Sequence, residues 1–441
     1  MRRVYQFRHT RFTKCAAAGR DAETYKAGSG RWQPKFGRPE GHATRAPIAK
    51  SPGFGPAFIM IDRRQSVATL TRLDAALGRL CTGIEPVAPH NLLLAEALGS
   101  VAAEMPLRHG GWPSCDTAAT DGWALRAADI VGASAYSPVP LPVAPAWVEV
   151  GSVLPAGCDC VIDAERIVRA GTMLHAVAEA LPGEGVRRAG TDISDAAILA
   201  AGKRIGVRDL AMARTIGLTR LPVRRPRVHV LAIPAADGHD VTAPLIEALL
   251  RNEGVDVVMT GVAARDIRSI ADAMRGVTSE RQCDLLLSIG GTGAGHTDAT
   301  VTALAESGVV IAHGLAQRPG RTAALARIGS VPAIALPGTP GDALAVWYTA
   351  VEPVLDRLTG YRSRETQRLP LTRKITSTVG LAELVALTRS EAGWTPLASG
   401  DISLEQWARA DAWLCVPEQS EGYAAGTAID ARLFCDGVAS V

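Results

Sequence analysis

The sequence predicts a multidomain α/β protein: a large domain with a mostly parallel sheet, a helical linker, a small β domain and a C-terminal β domain. Three observations predict it. From Arg227 onward, near-continuous apolar runs alternate with amphipathic stretches, the rhythm of a parallel sheet covered on both faces. Between residues 106 and 195, Pro and Gly cut the apolar runs to strand length. And 441 residues are too many for one typical domain.

The elements follow in order. Residues 1–60 carry 12 Lys+Arg against 3 Asp+Glu, a balance of +9; the whole chain is +3, which leaves −6 for residues 61–441. This head is poor in aliphatic residues and cannot bury enough apolar surface to offset the entropy of ordering. It also lacks the apolar core of a signal peptide. Residues 1–59 are expected to be a disordered basic extension, or to precede a true start at Met60, rather than a tail for nucleic acid or membrane. The remainder is near neutral to acidic, which argues against a nucleic-acid partner.

In residues 66–81, Val67, Leu70, Leu73, Leu77 and Leu80 recur at helical spacing. Residues 92–105 read as a second helix and 203–222 as a third, so residues 60–106 and 197–225 form the helical linker. Residues 107–196 form the β domain. Residues 226–365 form the α/β domain, with strands at 227–233, 255–262, 284–291, 309–315 and 331–338. Helices lie at 240–254, closed by Gly254, and at 266–277, 297–308 and 339–360. Residues 366–441 hold the terminal strands 373–379, 382–389, 412–418 and 427–434.

No window offers 18 uninterrupted apolar residues, so no membrane span is expected. The eight cysteines are scattered, and Cys158 and Cys160 complete no zinc pattern. They read as small buried hydrophobes in a reducing cytoplasm.

In open parallel sheets, ligands sit beyond the carboxyl ends of the strands. Two loops belong to that edge: Gly290, Gly291, Thr292, Gly293 and Gly295 with Asp298, and Pro337, Gly338 and Thr339 in "LPGTPGD". Glycines let the backbone approach a ligand closely, and helix N-termini favour an anion. The chemistry predicted is an anionic site, phosphate above all, shared by both loops. The first loop is neither a P-loop nor a dinucleotide fingerprint. Asp298 reads either as a helix-start carboxylate or as a ligand for a divalent metal bridging phosphates. Arg318 and Arg321 in "QRPGR" read either as an exposed turn or as a bidentate oxyanion clamp.

Several stretches together resemble the MoeA/gephyrin E-domain family, the molybdopterin molybdenumtransferases. "PSCDTAATDGWALR" (113–126) is similar to P-P-F-D-N-S-A-M-D-G-Y-A, with Asp116, Ala119, Asp121, Gly122 and Ala124 in register. "GSVLPAGCDCVIDAE" (151–165) resembles G-x-x-L-P-x-G-A-D-x-V-V-x-x-E, and "GEGVRRAGTDI" (183–193) resembles G-E-N-V-R-R-x-G-E-D-I. "IGGTGAGHTD" resembles G-G-V-S-x-G-x-x-D, and "QRPGR" and "ALPGTPGDA" resemble K-P-G-K and L-P-G-N-P-V-S.

The resemblance implies four domains in an elongated homodimer. The site would lie between the α/β domain of one subunit and the β domain of the other. Molybdate and adenylylated molybdopterin would be the substrates, molybdenum cofactor and AMP the products, and Mg2+ or a similar ion would assist. Asp121, Asp116 and Asp298 would be catalytic, with Asp121 and Asp298 on the metal. Gly290, Gly291, Thr292, Gly293, Gly295, Pro337, Gly338 and Thr339 would cradle the pterin's phosphate, and Arg318 and Arg321 would meet oxyanions. The partners implied are the pterin and a second copy of the chain, with a client molybdoenzyme as a further candidate, and neither nucleic acid nor membrane.

The chain also departs from the family pattern. The acidic T-G-D-E-L loop is replaced by "PAADGHD", where Asp237 or Asp240 could substitute. The serine of G-G-V-S is Gly293. The asparagine and serine of L-P-G-N-P-V-S are Thr339 and Asp342. A carboxylate beside molybdate would repel it by roughly 1–4 kcal/mol at about 4 Å. The alternative is therefore a non-catalytic molybdopterin carrier, chaperone or regulator.

Overall fold

The computed structural model describes residues 65–434, except 66, 68, 104–110, 195–198, 234–237, 239, 263, 280–282 and 363. The basic extension 1–59 and Asp237 lie outside the described residues. Those described belong to one compact unit, Asp62–Val441.

The first helix is shorter than its periodicity suggests, running over Leu73–Cys81. Upstream, the chain is extended against the α/β domain: Thr71 N–H donates to the Gly314 carbonyl, and Ala316 N–H donates to that of Thr71. The expected helix at 92–105 is a correction. His90–Leu93 and Val101–Ala102 are strands that flank Arg220–Arg224 in a three-stranded antiparallel sheet. Gly99 at φ 78° makes the turn between them. The third expected helix covers only Val207–Thr215; Gly217 at φ 79° ends it, and Arg220–Arg224 becomes the central strand. The Leu/Ala-rich composition favours helix locally, but burying Ala97, Ala102, Ile205, Leu221 and Val223 together outweighs it.

The β domain explains three of the sequence motifs. Gly122 and Gly185 lie hard against the strand Cys160–Ile162: an added Cβ would come within 2.3 Å of the Ile162 carbonyl oxygen and 2.2 Å of that of Val161. Only glycine permits that approach. Ala119 N–H donates to the Gly185 carbonyl and Leu154 N–H to that of Asp116, so the three stretches close on one another. Leu125, Ile130, Leu141, Cys160, Ile162 and Ala176 form the core beneath. Burial pushes the Cys160 thiol up to about 12, which leaves it a small hydrophobe.

The α/β domain carries strands β1 (Arg227–Ala232), β2 (Asp256–Gly261), β3 (Leu285–Ile289), β4 (Val309–His313), β5 (Ala324–Ile328) and β6 (Val331–Leu336). Their order is β2-β1-β3-β6-β5-β4. The first four are parallel and β5 is antiparallel to both its neighbours. The helices are α1 (Thr242–Asn252), α2 (Ile267–Ser279), α3 (Thr300–Ser307), α4 (Pro340–Val346) and α5 (Glu352–Thr359).

The period of two divides β3 between two cores. Leu285, Leu287 and Ile289 meet Ile246 and Leu250 of α1 on one face, while Leu286 meets Ile270 and Met274 of α2 on the other. Each fully buried leucine contributes about 1.5–3 kcal/mol, so β3 is held from both sides. This is what aims the carboxyl ends of β1, β3 and β6 at one edge.

Helices α4 and α5 join through a π turn, Trp347–Val351. Pro353 has no N–H for the usual bond four residues back, and the wider turn absorbs that loss. Tyr348 on this turn packs against Trp407, Trp413 and Phe434 of the C-terminal domain at 5.7, 5.5 and 5.0 Å between ring centroids.

The C-terminal sheet runs Gln317–Arg318, Ala382–Ser390, Ala412–Val416, Ala428–Leu433, Thr366–Pro370, with Gly393–Ser399 paired beside Ala382–Ser390. Its first strand comes from within the α/β domain and pairs parallel, Gln317 opposite Ala382 and Arg318 opposite Glu383.

Candidate functional site

The strand ends β1, β3 and β6 open on a cavity of about 490 Å3. Ile233, Asp240, Arg265, Ile289 to Gly293, Asp298, Thr322, Pro337 to Thr339 and Asp342 line it. The two loops picked out in the sequence meet there: an added Cβ on Gly338 would sit 3.5 Å from Gly290 Cα.

The glycine loop is fixed by its own backbone. Gly290 N–H donates to the Leu336 carbonyl at 3.0 Å, which ties the loop to β6. Thr300 Oγ1 donates to the Gly290 carbonyl at 2.7 Å. Gly290 and Gly291 have φ of 94° and 67°, a region that only glycine enters at low cost. The N–H groups of Gly291, Thr292 and Gly293 meet no acceptor among the described residues. Backbone donors left open at a strand end form a cradle for an anion.

Gln65 was not anticipated. It is buried, and its amide Nε2 donates to the carbonyls of Gly291 at 2.6 Å and Gly293 at 2.9 Å. Its Oε1 accepts from the N–H groups of Val301 at 3.1 Å and Thr302 at 3.4 Å. The start of α3, expected to favour an anion, is therefore closed by a glutamine. The open donors are those of the loop itself.

Asp298 lies two residues before α3 rather than in its first turn. Its Oδ1 accepts from Arg265 Nη2 at 2.9 Å and its Oδ2 from Gly295 N–H at 3.0 Å. Gly295 thus enters the site by holding Asp298, without lining the cavity. Gly293 lies close beneath the same carboxylate: an added Cβ would lie 2.8 Å from Asp298 Oδ2.

Asp342 lines the cavity with both oxygens committed. Gly320 N–H donates to Oδ1 at 2.6 Å, and the Thr339 hydroxyl donates to Oδ2. Asp342 therefore joins the "RPGR" turn to the N-terminal turn of α4, where its charge also suits the helix dipole. Asp240 caps α1, its Oδ1 accepting from the N–H groups of Thr242 at 3.1 Å and Ala243 at 3.0 Å. Thr242 Oγ1 donates to the Gly338 carbonyl at 2.6 Å, fastening the second loop.

Arg318 and Arg321 do not line the cavity. Strand pairing carries Arg318 to the C-terminal sheet, where its side chain lies over Gly400 beside Glu383. Arg321 is exposed on the other side of the turn. The cationic side chain that does line the cavity is Arg265, in the loop after β2. The strand-end rule used for β3 and β6, applied to β2 as well, points to it.

Asp116 and Asp121 are exposed in the β domain and do not reach this chain's own cavity. Asp116 Oδ1 accepts from Ala189 N–H at 2.9 Å, and Asp121 Oδ1 from Val150 N–H at 2.8 Å.

A magnesium ion binds through carboxylate oxygens and water. In the cavity, both oxygens of Asp298 and of Asp342 already accept, as does Oδ1 of Asp240. Among the described residues, no group of three or more His, Cys, Asp or Glu side chains is placed to hold a metal. Each carboxylate oxygen keeps a second lone pair, and magnesium needs only one or two carboxylates beside phosphate and water, so Asp240, Asp298 and Asp342 are the groups of this cavity able to meet such an ion.

Two family models match the chain. The MoeA N-terminal region (domain I and II) covers residues 71–217, and a probable molybdopterin binding domain covers 215–357. The chain is 26% identical over 411 residues to molybdopterin molybdenumtransferase 2 of Mycobacterium tuberculosis, a match covering 82% of this chain and 98% of that protein. It is 25% identical over 318 residues to the molybdopterin molybdenumtransferase of Haemophilus influenzae, covering 66% and 78%. The fold matches a molybdopterin biosynthesis MoeA protein from Pyrococcus horikoshii with a TM-score of 0.64 at 23% identity, covering 83% of this chain and 100% of that one.

Proposed function

The chain belongs to the MoeA family of molybdenum cofactor biosynthesis, and on that premise we propose that it is a molybdopterin molybdenumtransferase. It inserts molybdate into adenylylated molybdopterin and releases AMP. The observation that carries this reading is the set of open N–H groups at Gly291, Thr292 and Gly293, residues that line one cavity together with Pro337–Thr339. Such donors hold a phosphate without moving, which suits a phosphoanhydride substrate.

In this reading Gly290 to Gly293 and Pro337 to Thr339 hold the pterin's phosphate, and Gly295 keeps Asp298 in place. Asp116 and Asp121 act from a second subunit. Asp121 supports that arrangement by its place on an exposed apolar rim with Val150 and Val153, which are 58% and 62% exposed. A homodimer covers that rim and brings Asp121 to the partner's cavity. Among the described residues no helix is long and apolar enough to cross a membrane. Six cysteines there are free, which supports a reducing cytoplasm.

One observation favours the second reading, a pterin carrier: the ion pair that engages Asp298. A single experiment separates the two. The purified full chain is given adenylylated molybdopterin with and without molybdate, and AMP is measured. Molybdate-dependent AMP release is the expected result; tight binding of the pterin with no AMP over background would establish the carrier instead.

A further inference from the structure

Two threonine hydroxyls meet in the wall of the cavity. Thr292 and Thr322 both line it, and their Oγ1 atoms lie 3.2 Å apart. Thr292 is buried, whereas Thr322 is half-buried. Against the pattern G-G-V-S, Thr292 stands in the place of the valine and Gly293 in that of the serine, so the loop keeps one hydroxyl, one position earlier. We infer that this pair binds the substrate's phosphate, with Thr322 as the contact and Thr292 as the positioning residue behind it. This rests on the reading of the cavity as the phosphate site.

The strand order brings the pair together. β5 runs against β6, so its start lies at the edge where β3 and β6 end, and Thr322 stands just before it. β4 ends at the same edge, and His313 Nε2 lies 3.2 Å from the Thr292 carbonyl oxygen. Thr292 is therefore held through its backbone by one strand and through its hydroxyl by the start of the next. Two hydroxyls own two hydrogens, and the bond between them uses one. Among the described residues neither hydroxyl meets another partner, so one hydrogen is left over whichever way that bond runs. The buried Thr292 donates to Thr322, and the more exposed Thr322 donates the remaining hydrogen into the cavity. A hydroxyl that accepts one hydrogen bond is a stronger donor of the next, and a charged oxygen is its best acceptor. The open N–H groups of Gly291, Thr292 and Gly293 line the same cavity, so backbone and hydroxyl donors serve one anion.

The test is titration calorimetry of the full chain with molybdopterin, and with molybdate alone as a second titrant. Thr322→Val keeps the shape and removes the hydroxyl, and should weaken molybdopterin binding roughly tenfold, the scale of one hydrogen bond to a charged group. Thr322→Ala removes the same hydroxyl and should repeat the loss, so the outcome stands on two variants. Thr322→Ser keeps the donor and should stay within about threefold of the unaltered chain. Thr292→Val should weaken binding about two- to threefold, and the double variant no more than Thr322→Val alone, because Thr292 acts through Thr322. Molybdate affinity should stay within about twofold throughout, since the contact is to the pterin's phosphate. Molybdopterin binding unchanged in Thr322→Val, or a comparable loss in molybdate affinity instead, would overturn the inference and leave the proposed activity standing. A double variant that loses the product of the two single losses would remove Thr292 from its role. An unaltered chain that binds no molybdopterin would overturn the phosphate site itself.

Discussion

Gln65 Nε2 lies 2.6 Å from the carbonyl oxygen of Gly291, across 226 positions of the chain. One side chain thus bridges two loop carbonyls and the first N–H groups of α3. A glutamate there would turn a donor into an acceptor facing two carbonyls. Gln65→Glu should cost about 1–3 kcal/mol and lower AMP release at least tenfold. A chain beginning at residue 60 should match the full chain in melting temperature and activity, whereas one beginning at residue 68 should lose both. Equal activity of the two truncated chains would show that the clamp is dispensable.

Asp342 is a brace more than a barrier to anions. Asp342→Ala should cost about 1–2 kcal/mol, since it strands Gly320 N–H and removes the side chain that engages the N-cap residue of α4. It should not tighten molybdate binding. Tighter binding in this variant, measured by calorimetry, would show that repulsion outweighs the bracing.

Asp121 should matter to chemistry and little to folding. Its side chain is exposed and holds one loop N–H, so Asp121→Ala should leave the melting temperature within about 2 °C, on the scale of a surface change of under 0.5 kcal/mol. AMP release should fall to background. Undiminished AMP release would remove Asp121 from the site.

An ionic hub where α1, α5 and Arg364 meet makes stability depend on pH. Arg364 is paired with Glu253 at 3.0 Å, Glu352 at 3.1 Å and Asp356 at 2.8 Å. Burial pushes Glu352 up to about 8 against the pull of Arg364, with Glu253 and Asp356 adding to the rise. In the folded chain Glu352 keeps its proton where the unfolded chain has released it. Its contribution is fully present below about 4.5, the ordinary glutamate value, and is lost as pH rises through about 8. Melting temperatures of Glu352→Gln at pH 5.5, 7 and 8.5 should decline less steeply than those of the unaltered chain. Parallel slopes would refute this.

The parts legible in the sequence are those set by local rules. The apolar runs of β3 and β6 are buried at every position, and glycines mark the loops at their ends. Gln65 was illegible because its meaning lies in partners more than two hundred residues away. Residues 92–105 read as helix because Leu and Ala favour it locally, while the strand that overrides them, Arg220–Arg224, comes much later. The pair of arginines in "QRPGR" and the resemblance to K-P-G-K point Arg318 at an oxyanion. Nothing local shows that two residues of that turn join a sheet in another domain.

That borrowed strand, Gln317–Arg318, has a consequence for synthesis. It leaves the ribosome before every other strand of the sheet it belongs to. The α/β domain can close while it is still being translated, but this edge waits until Ala382–Ser390 emerges. The C-terminal domain is therefore not an exchangeable module. Released alone it would lack its edge strand, and a chain cut after residue 365 would carry an unpaired edge beside its cavity, open to association with another chain.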